Sequence, residues 1–369
     1  MTKKKGKFLN YYCLLSCLFI FSFPQTDALF AQDSLKTDYH NIALGNKDKL
    51  RKANINIGIS GDIDSLQGVQ TNLFSSVIRR SGKGFSGGIF AALTVKDFTG
   101  VQLSSITNIV GGTIGGVQMA GVMSAAKKVT GVQFAGMNNI SGLDLVGVQL
   151  SGICNISMGV RSGAQISGVM NVCAGNMNGF QFSAFNYCDT LNGGQFGLVN
   201  ICISHPKGMQ IGLVNYMRDD VKRRIGLVNI SPQTNIQMLL YGGNTSRLNI
   251  AARFLNPKTY SMLGLGTHYM GLSEKFSGAL FYRTGLWFSP YENAVVSTDL
   301  GFYHIETFDN ADEDTPERLY SLQARVNYEY KINPVLKFFF STGYGVTRYY
   351  DQNEFYRKRF LFDMGITLF

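Results

Sequence analysis

The chain has 369 residues, only 16% of them charged and 12% aromatic, with 42 glycines against 7 prolines. Its formal charge of +10 owes four lysines to the N-terminus and is otherwise scattered, apart from Lys222-Arg223-Arg224 and Arg357-Lys358-Arg359. Because the aromatics alternate along strands and do not interleave with a basic cluster, the composition excludes a nucleic-acid binder and fits an exported, glycine-rich β protein.

Met1 to Gln32 reads as an export signal. Lys3, Lys4, Lys5 and Lys7 make a basic start, Tyr11 to Phe23 is mostly apolar, and Ala28-Leu29-Phe30-Ala31 offers a small-residue cleavage site. The apolar run falls short of the roughly 20 residues a spanning helix needs. Leu14-Leu15-Ser16-Cys17 is similar to a lipoprotein signal with Cys17 as the lipidated residue. The apolar run continues past it through Leu18-Phe19-Ile20-Phe21, which favours ordinary cleavage near Ala31. Residues 33–60 are a polar lead-in ending in Ala53 to Ser60, a strand-like alternation suited to capping whatever follows.

From Gly68 to Asn229 one phrase recurs: Gly-x-Gln, then apolar and small residues, then Asn. The Gln positions are 70, 102, 118, 133, 149, 165, 181, 195 and 210, with Ser86 in the slot of a degenerate copy and Arg224 in the last. The spacing of 14 to 16 residues gives about eleven copies, too short a period for helix-pair or propeller repeats. Dense Gly with Val, Ile and Phe favours strands over helices. The copies do not alternate in character, as the strands of an up-and-down barrel would. Residues 61–232 are therefore expected to form a parallel β-solenoid, in which amide side chains of successive coils bond in ladders. The alternative is one large antiparallel barrel. Charges gather in the variable segments, as at solvent-facing corners.

After Asn229 the rhythm changes to longer alternating strands. Tyr320, Leu322, Ala324, Val326, Tyr328 and Tyr330 make one apolar face, opposite Ser321, Gln323, Arg325, Asn327 and Glu329. Leu248, Ile250, Ala252 and Phe254 alternate likewise with Arg247, Asn249, Ala251 and Arg253. So do Leu336, Phe338, Phe340, Tyr344 and Val346, and Phe360, Phe362, Met364, Ile366 and Leu368. Eight such strands over 233–369, near 236–243, 246–255, 259–269, 276–288, 294–306, 319–330, 335–349 and 357–369, predict an eight-stranded antiparallel membrane barrel with aromatic girdles. Such a barrel has room inside only for its own side chains. The terminal Phe369 resembles the assembly signal of outer-membrane barrels, though it stands one residue out of phase with Leu368 and Ile366.

The phrase Gly194-Gln195-Phe196-Gly197-Leu198-Val199-Asn200, repeated at Met209-Gln210-Ile211-Gly212-Leu213-Val214-Asn215, resembles the surface-repeat family of Gram-negative bacteria over roughly 68–230. The resemblance implies an envelope or surface protein and carries no catalytic residues to transfer.

No residue set points to catalysis, a cofactor or a metal. His40, His205, His268 and His304 are far apart and lack metal spacing, and no glycine stretch is followed by the Lys-Ser/Thr of a phosphate loop. After the signal, Cys154, Cys173, Cys188 and Cys202 remain. Cys188 and Cys202 share a repeat position, but stacked side chains point the same way, so they read as buried fillers. Asp309, Asp312, Asp314 and Glu317 lie in an acidic strand connection that reads as a solvated loop before a Ca²⁺ site. Asn139-Ile-Ser141 and Asn155-Ile-Ser157 match a glycosylation pattern but read as repeat residues. The expectation is a non-enzymatic outer-membrane protein, its barrel anchoring a repeat scaffold or binding surface. Its partners would be outer-membrane lipid and a surface ligand or envelope protein; the alternative is a single wide barrel acting as a channel or transporter.

Overall fold

The structure, a computed structural model, describes residues 39–42, 50–204, 207–218, 224–244, 246–269, 277–308, 318–350 and 354–369. The expected signal, with Cys17, and the acidic loop lie outside them. The fold is all-β, a parallel β-solenoid of about 10 turns followed by a closed eight-stranded antiparallel barrel. The chain divides into two compact units, one up to Phe196 and one from Gly197.

Each coil is built from two strand passes and two corners. In the pass carrying the Gln, Gly116 lies beside Gly131 and Gln118 beside Gln133, and Gln133 lies in turn beside Gln149. In the other pass, Asn139 lies beside Asn155 and Asn155 beside Asn171. All these pairings are parallel and in register. The single wide antiparallel barrel is thereby overturned, since successive copies there would run in opposite directions.

Why Gly opens the phrase is a matter of space. Gly131 and Gly147 have φ of 136° and 132°, a region that L side chains avoid. A Cβ on Gly131 would sit 2.0 Å from Gly116 O, and one on Gly147 1.9 Å from Gly131 O. Coils stack at strand spacing only because this column has no side chains. The same test extends the solenoid upstream. A Cβ on Gly68 would meet Asn54 O at 2.1 Å, so Asn54 stands in the glycine column, and Asn56, buried, stands in the Gln column. Tyr39–Ile42 pairs in parallel with this stretch, Ile42 beside Ile57. The expected cap at Ala53 to Ser60 is thus itself a coil.

The barrel strands are Asn235–Gly243, Ser246–Leu255, Thr259–Tyr269, Ser277–Tyr291, Ala294–Thr307, Arg318–Lys331, Leu336–Tyr349 and Phe355–Leu368. Each pairs antiparallel with the next, and the last closes on the first with Leu240 beside Ile366. Connections at one end, 256–258, 292–293 and 332–335, have four residues or fewer, whereas 270–276 and 308–317 at the other reach seven and ten. The first strand begins and the last one finishes at the short-turn end.

Candidate functional site

Inside the coils the amides form two ladders, the glutamine one unbroken from Gln102 to Gln195. Gln118 Nε2 donates to Gln102 Oε1 (2.9 Å), Gln133 to Gln118 (2.8 Å), Gln149 to Gln133 (2.8 Å), Gln165 to Gln149 (2.9 Å), Gln181 to Gln165 (2.9 Å) and Gln195 to Gln181 (2.8 Å). Every donor points toward the N-terminal coil. The Asn column runs the other way: Asn139 Nδ2 donates to Asn155 Oδ1 (2.9 Å), Asn155 to Asn171 (3.0 Å) and Asn171 to Asn186 (3.1 Å). Aligned amides polarise one another within a column, and two opposed columns cancel the axial dipole. Each Asn also donates across the coil, as from Asn139 Nδ2 to Leu150 O at 2.6 Å. In the last coil Arg224 takes over, donating from Nη1 to Ile230 O (2.7 Å) where Gln210 donates to Tyr216 O (3.2 Å).

With the amides inside, the outside is apolar. Phe74, Phe90, Ile106, Val122, Met137, Ile153 and Val169 form an exposed column along one corner, and Leu103, Met119, Phe134, Ile166 and Phe182 another on the adjoining face. The phrase alone left open which side of the strand faces inward. Burial of the columns' Gln and Asn residues from Gln70 to Asn215 answers it, and charge is kept off the apolar surface: every Asp, Glu, Lys and Arg between residues 62 and 189 lies at the opposite corner or, for Lys83, just past it. There Arg79 pairs with Asp62 (2.5 Å) and Arg161 with Asp144 (2.8 Å), both pairs at the surface. Asp62 holds the Arg79 guanidinium above its ordinary pKa by hydrogen bond and charge.

The barrel repeats this inversion. Leu265, Leu280, Leu300, Leu322, Phe362 and Met364 are more than half exposed on its wall. Tyr291 and Tyr330 stand at the short-turn end, and Tyr320, Tyr350 and Phe355 at the other. A depression of about 320 Å³ on the wall is lined by Val326, Tyr328, Phe340, Phe362 and Met364, among others. Inside, Arg253 binds Glu329 and Gln237. Arg283 binds Asp299 (2.6 Å) and Asn327 (2.8 Å), and Arg325 binds Asp363 and Gln323. Phe281, Tyr303, Ile305 and Leu319 fill the remainder toward the long-connection end, with Leu361 at mid-strand and Phe339 beside Glu329 near the short-turn end. Arg253, Arg283, Tyr260 and Tyr303 are among the largest fully buried side chains, so the bore is occupied. Arg247, expected on the inner face, is exposed because it sits at the rim beside the 244–245 turn.

The remaining sequence candidates fall as follows. His304 Nδ1 lies 2.9 Å from Tyr350 OH at the barrel rim, and the side chains of the other three histidines lie outside the described residues. Among the described residues no group of His, Cys, Asp and Glu has the arrangement of a metal site, and all four cysteines are buried thiols. Cys173 lies in register with Cys188, so the shared position includes a third cysteine that the spacing had hidden. Burial pushes the Cys173 thiol above its ordinary pKa. Of the basic clusters, Arg359 caps Asn244 O (3.1 Å), and Lys358 Nζ stands 3.8 Å over the Phe355 ring. Lys222 and Arg223 are not among the described residues.

No protein-family model matches the chain, and a search of curated proteins finds no match. A solved chain described as "De novo design of transmembrane beta-barrels" is similar over 37% of this chain and 95% of its own length, at 14% identity and a TM-score of 0.24. Nothing about function follows from a likeness at that level. The chain holds a closed β-barrel whose apolar outside and polar, filled inside are consistent with a membrane β-barrel.

Proposed function

We propose that the chain is a non-enzymatic outer-membrane protein whose barrel anchors in lipid and holds the solenoid as a scaffold or binding surface. The repeat resembles that of the Gram-negative surface-repeat family, and the N-terminal segment has the parts of an export signal. One observation carries the reading: along Arg318–Lys331 the outward residues are Leu322, Ala324, Val326 and Tyr328, while Gln323, Arg325, Asn327 and Glu329 are buried and bonded inside. Only a strand with lipid on one side and a sealed polar interior on the other reconciles that alternation with the cost of burying charge. Outer-membrane barrels carry short periplasmic turns and longer extracellular loops, so the short-turn end faces the periplasm. Envelope lipid is the first partner, and a ligand or envelope protein held by the coils is the second.

The test is fractionation after expression in a Gram-negative host, followed by gel migration with and without boiling. A closed membrane barrel co-sediments with outer membranes and runs faster unboiled. Release into the soluble fraction, or steady conductance in planar bilayers, would overturn the anchor reading.

A further inference from the structure

We propose that the repeat unit itself contacts lipid. Its uncharged corner and adjoining faces sit among acyl chains, and its charged corner stays in water. The inference concerns the unit up to Phe196 and stands apart from the reading of the barrel.

The first argument is the inversion. The six bonded glutamines from Gln118 to Gln195, with Gln102 at their head, are fully buried, as are Asn108, Asn139, Asn155, Asn171 and Asn186. Roughly two dozen large apolar side chains between Ile55 and Phe182 stand 36–61% exposed. An apolar column is buried beside them, with Ile114, Val129, Leu145, Val160 and Met177 at 0–1% exposure, yet a solenoid in water would not leave this many further large apolar side chains uncovered, because burying apolar area is what offsets the entropy of folding.

The second argument is the backbone. Lipid admits a polypeptide surface only where every backbone N–H and C=O is bonded within the protein. At the apolar corner that condition holds from coil to coil. Val122 N donates to Ile106 O (3.0 Å), Met137 N to Val122 O (3.0 Å), Ile153 N to Met137 O (3.0 Å) and Val169 N to Ile153 O (3.2 Å). Strand passes on either side bond in the same way.

The third argument selects lipid over a second copy of the chain. At very roughly 70–100 Å² per half-exposed large side chain, the apolar exterior comes to about 2,000 Å². A monomer's largest apolar patch is about 300–600 Å², and a standard partner covers about 800 Å². This exterior also wraps a corner and continues on the adjoining face, so one partner docked on one side leaves the rest wet. A fluid apolar solvent covers all of it.

Geometry then fixes the orientation. The charged corner runs along the whole unit, so the solenoid axis lies in the membrane plane. Each pass of about five residues spans about 17 Å, close to half of the roughly 30 Å hydrocarbon core. One leaflet accepts the coil edge while the pairs at Arg79–Asp62 and Arg161–Asp144 remain at the interface.

The experiment uses the full chain carrying Trp287→Phe, which removes the single native tryptophan, reconstituted into phosphatidylcholine vesicles with or without brominated acyl chains. Val122→Trp and Phe134→Trp report on the apolar corner and face, Lys128→Trp on the charged corner, and Leu300→Trp on the barrel wall. Bromolipid is expected to lower emission about twofold or more at 122 and 134 and to leave 128 nearly unchanged, as for residues inside and outside the hydrocarbon. Two corner reporters guard against one that fails to fold, and unboiled gel mobility checks each variant. Quenching at 300 but not at 122 or 134 overturns the proposal while leaving the barrel reading intact. Quenching at 122 and 134 but not at 300 supports the proposal and overturns the barrel reading. Emission at 122 that is insensitive to bromolipid and shifts blue as protein density rises assigns the face to a second copy, and also overturns it.

Discussion

Asn139 follows Ser124 in the asparagine column, and its Oδ1 is buried with no hydrogen-bond partner. The two facts are one. Each Asn in this column receives a bond from the coil before it, and Ser124 has no amide to give; its Oγ is spent on Phe134 O (3.2 Å). Asn108 Oδ1 is orphaned in the same way beneath Ala92, and Gln70 Oε1 is orphaned beside Ser86. These unsatisfied amide atoms sit at breaks in the columns. Ser124→Asn should therefore join Asn108 to Asn139 and raise stability by about 1–2 kcal/mol, the cost of an unmet buried acceptor. Ser86→Gln should do likewise for Gln70. Denaturant midpoints of the two variants check both, and a lowered midpoint for either would show that the space beside the break is already filled.

Gln149 sits in the middle of an unbroken run, so its removal has the opposite sign. Gln149→Ala leaves Gln133 Oε1 without its donor and takes one acceptor from Gln165 Nε2, which keeps Ser157 Oγ (3.2 Å) and Val172 O (3.4 Å). The expected loss is about 1–3 kcal/mol for the stranded acceptor. Gly131→Ala should be worse, because its Cβ would overlap the Gly116 carbonyl at a φ that alanine resists. Both are read by the same unfolding midpoint, and Val132→Ala on the same strand, which touches neither column nor carbonyl, serves as the mild comparison.

In the barrel, Arg283 and Asp299 are fully enclosed partners. Breaking such a pair strands a charge, at a cost of about 3–5 kcal/mol, whereas replacing both members with apolar groups often costs little. Asp299→Leu should lower the temperature at which unboiled mobility is lost far more than the double change Arg283→Met with Asp299→Leu. Equal losses would mean that the stranded charge is hydrated, and so that water reaches the bore.

Cys173 is buried, and its thiol is held neutral by that burial. Since the thiolate is the reactive form, maleimide should label the folded chain at Cys173 only after denaturation. The sign of the pH dependence follows: the folded thiol ionises later than the unfolded one, so its contribution to stability is present below the ordinary thiol pKa and is lost as pH rises through the folded value. A midpoint that improves above that range in the wild type relative to Cys173→Ala would contradict this.

Much of this architecture is legible because repetition and alternation are global signals. The sameness of the Gln copies favours parallel stacking over one wide antiparallel barrel, and the faces around Tyr320 to Tyr330 mark a two-sided strand whatever surrounds them. The eight barrel strands fall within a few residues of their expected bounds for that reason. What the sequence hides is local and depends on neighbours. Asn56 in the Gln column shows only once Asn54 is seen to occupy a glycine's place. The role of Arg224 shows only when its reach to Ile230 is known, since at the level of spacing it is simply a failed Gln. The third cysteine of the column escapes because Cys173 follows its Gln by eight residues and Cys188 by seven, a difference absorbed at the corner between Ile166 and Met170, which is one residue longer than that between Phe182 and Phe185. Whether amides or Val, Leu and Phe face inward is likewise undecided by alternation, which has no sign of its own.

The unequal ends of the barrel make a prediction about sidedness. Connections 270–276 and 308–317 link strands at one end, and the chain joins the barrel at the other through Ser231 to Thr234, whose Oγ1 donates to Asn256 Oδ1 at 2.6 Å in the short 256–258 turn. Asn256 Nδ2 in turn caps Asn229 O of the last coil (3.1 Å). If the chain is an outer-membrane barrel and its long connections face outward, as is the rule for such barrels, an epitope inserted between Asp312 and Glu313 should be stained on intact cells. One inserted between Lys127 and Lys128, at the charged corner, should be reached only after the outer membrane is permeabilised. Staining of the second epitope on intact cells would place the repeats outside and reverse the assignment of the two ends. Neither insertion falls in a barrel strand, for Asp312 and Glu313 lie between the strands that end at Thr307 and begin at Arg318, and Lys127 and Lys128 belong to the repeats; loss of the wall therefore confounds neither outcome.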